Sequence, residues 1–214
     1  MKRRIARLSF YSIYCMLGLA GLLLDFGVIG GSLHTRPFVF YTSLSNMVCT
    51  AFMIVSLVRT IQSGDSDFAP LCKFLFVVMI LVTAIVYNLL LNSYSSWIAY
   101  FSAVKNCLYH LILPVMFFLD WLLFYRRGSI KELQPLLTAV IPFTYVVYIL
   151  IRAAAVKSTG VTVSVLYPYF FLNVDRLGWR SFVVWMGLLL VALIALSYAL
   201  YGLDRLLCKK ELKV

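Results

Sequence analysis

The stretch VKNCLYHLILPVMFFLDWLLFY, residues Val104–Tyr125, decides how this chain is read. As a helix rising 1.5 Å per residue it covers about 33 Å, enough to cross a hydrocarbon core about 30 Å thick. Its apolar residues do not alternate with polar ones, so it is not a strand of a membrane barrel. Three ionisable groups interrupt it: Lys105 at its start, His110 inside it and Asp120 towards its far end. A helix whose backbone is satisfied internally is the form such a run takes in lipid.

Five further runs have the same character: Leu8–Gly30, Phe38–Val58, Phe74–Leu91, Leu133–Ala155 and Phe182–Leu203. Together they take most of the 214 residues, of which 63% are hydrophobic and 13% charged. Soluble domains carry about 45–50% apolar and about 25% charged residues. The chain therefore reads as all-α, a single six-helix transmembrane domain over residues 1–214 with almost nothing left for a soluble part. The net charge of +11 does not indicate nucleic acid. The basic residues stand at span ends and in loops, and no soluble basic domain is left to hold a duplex. The first span is too long for a signal-peptide core and has no small-residue cleavage site after it, so it is expected to be retained.

Lysine and arginine orient the spans. With the amino terminus in the cytoplasm, that side holds Lys2, Arg3, Arg4, Arg7, Arg59, Lys73, Arg126, Arg127, Lys131, Arg205, Lys209, Lys210 and Lys213. The other side holds Arg36, Lys105, Arg152, Lys157, Arg176 and Arg180. Both termini are expected inside, and the short tails lean towards a bacterial cytoplasmic membrane. The loop after the fifth span dissents, with four of the outer charges. That loop, rich in Tyr, Phe and Leu around Tyr167–Asn173, is expected on the membrane surface or folded back as a lid over the outer polar layer.

No metal site and no cofactor are implied. Cys15, Cys49 and Cys107 lie within spans, Cys72 and Cys208 near the cytoplasmic side, with no CxxC pair. They read as small packing residues.

Ionisable and polar groups inside spans carry more information, because they are costly in lipid and usually face a bundle interior. Asp25, Thr42, Asn46, Asn88, Asn106 and His110 all fall within about 12 Å of the outer ends of the first four spans. Asn92 stands at the margin of this layer. Faces agree as well: Thr42, Ser45, Asn46 and Cys49 share one side of the second span, and Asn106 and His110 one side of the fourth. Pro114 follows His110 by four residues and has no N–H, so the carbonyl of His110 loses its helical partner and a kink is expected. The plain alternative is a hydrogen-bond layer that only holds helices together.

Within this layer Thr42 and His110 are the pair fit for chemistry. A hydroxyl becomes a nucleophile when a base takes its proton, and imidazole is the usual base near neutral pH. Asparagine side chains can orient the ring or donate to an oxyanion. Asp25 is either a third member of the set or the partner of a basic group. Asp120 is expected to anchor the span end by pairing with Arg126 or Arg127. His34 and Arg36, in the short outer loop, could meet a polar headgroup.

Three stretches carry a resemblance: Phe40-Tyr41-Thr42-Ser43-Leu44-Ser45-Asn46; His110-Leu111-Ile112-Leu113-Pro114 with Leu119-Asp120-Trp121-Leu122-Leu123-Phe124 after it; and Tyr167-Pro168-Tyr169. In these the chain resembles the androgen-induced and androgen-dependent TFPI-regulating membrane proteins, and more closely their bacterial relatives. The resemblance implies six spans and intramembrane hydrolysis of fatty-acyl esters, such as fatty acid esters of hydroxy fatty acids. Thr42 and His110 occupy its nucleophile and base positions. Asp25, Ser45, Asn46, Asn88, Asn92 and Asn106 are then the supporting or substrate-binding residues, and the partner is a membrane lipid or acyl-ester substrate. Related acyl-transferring proteins use Cys, which keeps Cys49 and Cys107 as minor alternatives. A transporter or ligand-binding protein with its polar site in the outer half of the bundle is the other reading, with a structural or assembly role behind it. The sequence sets no oligomeric state.

Overall fold

The computed structural model describes residues 2–63, 68–94 and 96–211. Among these it is helical without strands. Six helical segments are long and apolar enough to cross a membrane: Arg3–Asp25, Tyr41–Ser63, Pro70–Leu91, Val104–Phe124, Gln134–Thr159 and Val174–Lys209. The chain is an integral, multi-pass membrane protein of all-α class. It divides into two compact units, Met1–Ser129 and Ile130–Val214.

Four spans build the first unit. α1 runs Lys2–Asp25, α2 Tyr41–Ser63, and α3 Pro70–Val86. α3 continues into a wide π turn, Tyr87–Leu91. The short α4, Trp97–Ser102, is capped by the Ser96 hydroxyl, which accepts from the Ala99 N–H at 3.2 Å. The fourth span is then α5 (Val104–Cys107), a second π turn (Leu108–Ile112) and α6 (Leu113–Phe124). α1 packs on α2 and α6, and α3 on α2 and α6.

Helix limits differ from the apolar runs for physical reasons. α1 begins six residues earlier, because a helix continues into the headgroup region where Arg3 and Arg4 are at home. It ends at Asp25 rather than at Gly30. Gly27 takes φ 74°, and a Cβ there would lie 2.2 Å from the Ser32 carbonyl oxygen, so the reversal needs glycine. α2 starts later than expected, at Tyr41, after a 3-10 turn over Arg36–Val39.

The inward face of α1 carries Tyr11, Tyr14, Gly18, Gly21 and Asp25 at alternating four- and three-residue steps, while Met16, Leu19 and Leu23 face outward. Its glycines let neighbours approach closely: Thr50 of α2 lies against Gly18, and the Tyr109 ring against Gly21. Small residues serve this purpose in membrane bundles, where lipid gives no hydrophobic drive for helix association. Phe74, Val77, Ile80, Leu113, Phe117 and Trp121 fill the apolar part of the core.

The second unit is a hairpin of two spans. A 3-10 turn, Gln134–Ala139, leads into α7, Val140–Thr159. α8 runs Val174–Glu211 and starts well before the expected Phe182. It is broken at Gly178 (φ 72°, ψ 156°), a backbone region open essentially to glycine alone, so the apolar run begins only past the break. The Thr138 and Ser197 hydroxyls meet at 2.7 Å, and Arg205 donates to the Ile130 carbonyl at 2.9 Å. The aromatic loop before α8 packs on its own hairpin: Phe170 and Phe171 against Trp185, Tyr169 against Tyr145.

Candidate functional site

Where Pro114 is expected to disturb the fourth span, the helix widens into a π turn. The N–H of Leu113 reaches back to the Leu108 carbonyl, five residues away. That choice takes it from the Tyr109 carbonyl, its α-helical acceptor, while Pro114 offers no N–H to His110. Two asparagines supply the missing donors. The Asn88 amide donates to the His110 carbonyl at 3.1 Å, and the Asn46 amide to the Tyr109 carbonyl at 3.4 Å. Both also bond within their own helices, Asn88 to Ala84 and Asn46 to Thr42, at 2.8 Å each. These side chains, weighed from sequence as ring orienters or oxyanion donors, have their amides committed to main-chain carbonyls of the turn that carries His110.

His110 is buried. Its Nδ1 lies 3.1 Å from the Asn106 carbonyl, and a carbonyl can only accept, so Nδ1 carries the proton and Nε2 the lone pair in the neutral ring. Asn106 thus fixes the ring through its backbone; its side chain donates to the Tyr94 hydroxyl. Tyr87 stacks on the imidazole, centroids 3.4 Å apart and planes 14° apart. Both stacked residues sit in π turns, an irregularity frequent at functional sites.

Thr42 is half-buried in the first turn of α2. Its carbonyl accepts from Ser45 Oγ at 2.9 Å and from Asn46 at 2.8 Å. Since Asn46 also reaches Tyr109, one side chain ties the turn of Thr42 to the residue next to His110. Ser45 shares a 2.8 Å contact with the Thr83 hydroxyl on α3.

Asp25 takes the second of its two expected roles. Its carboxylate accepts from Ser43 Oγ at 2.6 Å and from Lys105 Nζ at 3.0 Å, joining α1, α2 and α5. With Nδ1 of His110 facing the Asn106 carbonyl, Asp25 is not the partner of that nitrogen. Asn92 is exposed; its side chain accepts from the Tyr94 N–H at 3.0 Å and closes a turn. Tyr100, in the connection between the third and fourth spans, is buried; burial pushes its phenol up, against a smaller opposing pull from Asn88.

The expectation for Asp120 is corrected. It pairs with Lys73 of α3 at 2.7 Å, both side chains nearly sealed from solvent, and not with Arg126 or Arg127. α6 stops at Phe124 and Tyr125 is extended, which turns the arginines away. Arg127 instead lies over the Trp121 ring, 4.6 Å from its centroid, and donates to the Trp121 carbonyl.

Sequence reasoning missed Lys73, Ser43, Thr83, Tyr87 and Tyr109. Ser43 adjoins Thr42, but its one-residue offset placed it on another face. Nothing local in the sequence sets Tyr87 and Tyr109 apart from the other aromatics of their spans. No group of three or more His, Cys, Asp or Glu side chains fit to hold a metal occurs among the described residues. No protein-family model, curated protein or solved structure matches this chain.

Proposed function

We propose that the protein is an intramembrane lipid ester hydrolase, with Thr42 as nucleophile, His110 as base and a fatty-acyl ester as substrate. The observation that carries this reading is the mounting of His110. A carbonyl holds Nδ1, a stacked tyrosine fixes the ring plane, and Nε2 is left with the lone pair. Asn46 links its turn to Thr42. The motif resemblance to the androgen-induced family supports the same assignment.

In this mechanism Thr42 Oγ1 attacks the ester carbonyl and His110 Nε2 takes its proton. The tetrahedral intermediate expels the alcohol, which recovers the proton from His110. Water then attacks the acyl-threonine with His110 as base, releasing the carboxylic acid and restoring both residues. The proposed setting is a bacterial cytoplasmic membrane with both termini inside, so the layer lies in the outer leaflet. A cysteine placed at Lys157 then labels from outside without permeabilisation; labelling only after permeabilisation overturns the orientation.

The decisive experiment is activity-based labelling with a fluorophosphonate probe and turnover of a fatty-acyl ester. Thr42→Ala, Thr42→Val and His110→Ala each abolish both while the protein inserts and purifies normally. Thr42→Ser keeps part of the activity, because the attacking oxygen survives. Full turnover by Thr42→Val sinks the mechanism.

One observation favours the second reading, a transporter. Lys73 and Asp120 give the opposite half of the first unit a buried polar centre of its own. A solute flux in proteoliposomes that Asp120→Asn stops, without ester turnover, selects that reading.

A further inference from the structure

The basic residues that resist the orientation rule have a structural use. Of the four between the fifth and sixth spans, two are engaged. Lys157 pairs with Asp175 at 2.5 Å, and Arg152 donates to the Leu166 carbonyl at 3.0 Å. Arg176 and Arg180 are exposed, and neither side chain has an acidic partner among the described residues.

Arg180 stands on a defined face. Val183, Val184, Leu188 and Val191 follow it at three-, four-, eight- and eleven-residue distances, hence on one side of α8, and are 56–68% exposed. Trp179, 64% exposed, precedes it, and tryptophan seats itself at the membrane–water boundary. The guanidinium thus tops an apolar stripe at headgroup depth. Gly178 breaks the helix just before, so Arg176 lies in the short stretch ahead of the break, four residues from Arg180 in the chain.

We infer that this rim is a binding site for an anionic phospholipid, its phosphate held by Arg180 and Arg176 and an acyl chain lying along Val183, Val184, Leu188 and Val191. Charge complementarity selects the ligand, since the span of chain from Arg152 to Arg180 holds four basic groups against Asp175 alone. Arginine suits the role because its fork matches a phosphate in two hydrogen bonds. The inference is independent of the hydrolase reading.

The test uses the full-length protein in phosphatidylcholine vesicles containing a minor share of brominated phosphatidylglycerol, or in a second set brominated phosphatidylcholine. Bromine quenches nearby tryptophan, and the Trp179 contribution is taken as the difference from Trp179→Phe. Trp179 is expected to select the anionic lipid by about fivefold for each arginine. Arg180→Gln lowers that selectivity, and Arg176→Gln with Arg180→Gln removes it. Should the double variant fail to insert, the wild type at high salt decides, because an exposed charge contact is screened there. Equal quenching by the two lipids in the wild type overturns the site. So does wild-type selectivity in the double variant, or selectivity indifferent to salt.

Discussion

The two units are made of the same material and spend it differently. The four-span unit turns polar side chains inward: Asp25, Ser43, Ser45, Asn46, Thr50, Lys73, Thr83, His110 and Asp120 are all buried. The two-span hairpin buries Thr138, Ser197 and Asp204, and holds its loop with tilted and edge-on aromatic contacts. Arg176 and Arg180 are exposed at the start of its second span. Polar groups inside a membrane bundle are costly and tend to mark sites of function, whereas aromatic and basic residues at its edge mark anchoring. The proposed hydrolysis and the inferred lipid site follow this contrast, one in each unit.

The strongest way to break the first unit is at Lys73–Asp120. Removing one member leaves a lone buried charge, which costs about 3–5 kcal/mol. Lys73→Met and Asp120→Leu are each expected to lower the midpoint of thermal unfolding in detergent sharply. The double variant, with neither charge, should recover most of that loss. A double variant as unstable as the two singles combined shows that the pair is not the source. The corresponding cut in the hairpin, at Lys157–Asp175, is solvent-exposed and is expected to change stability far less, because solvent and salt screen an exposed pair.

These charges also show what a single sequence can deliver. All six spans were legible because hydrophobic length alone decides them. The gathering of polar residues from the first four spans was legible because converting position to depth needs only the helical rise. Pro114 even disclosed that the His110 carbonyl would lose its partner. What stayed hidden was which neighbour answers. Asn88 and Asn46 reach the turn from α3 and α2, and nothing local to either says so. The π turn was hidden too, since one extra residue per turn leaves hydrophobicity unchanged. Asp120 was assigned to Arg126 or Arg127 on closeness in the chain, but the helix end came between them. Lys73 looked like a margin residue because the apolar run starts one position later.

A smaller effect separates a structural from an accidental role for the asparagines. Asn88→Ala deprives the His110 carbonyl of its donor and is expected to cost about 1–3 kcal/mol. Pro114→Ala restores an N–H at the position from which the helix itself serves that carbonyl. In the Pro114→Ala background, Asn88→Ala should therefore cost clearly less, with a coupling of about 0.5–3 kcal/mol. Chemical or thermal unfolding of the four proteins measures it. Strict additivity means that Asn88 and the proline act independently, and the clamp is lost as an explanation.

The finest comparison uses one interaction that the two units share. Ser45 and Thr83 meet at 2.8 Å in the first, Thr138 and Ser197 at 2.7 Å in the second. In both pairs each hydroxyl also has a main-chain acceptor within its own segment: Thr42 and Met79, or Pro135 and Leu193. Deleting a partner therefore leaves the survivor satisfied, and interhelical hydrogen bonds in membrane proteins average only about 0.6 kcal/mol by double-mutant cycle. Ser45→Ala and Thr138→Ala should thus lower stability by similar small amounts. Activity should part them. Ser45 bonds the carbonyl of Thr42, so its loss loosens the turn that presents the proposed nucleophile and slows probe labelling. Thr138 serves a hairpin to which no chemistry is assigned, and its loss should leave labelling at the wild-type rate. Equal slowing by the two variants would mean that labelling follows general stability, and the division of labour between the units would have to be given up.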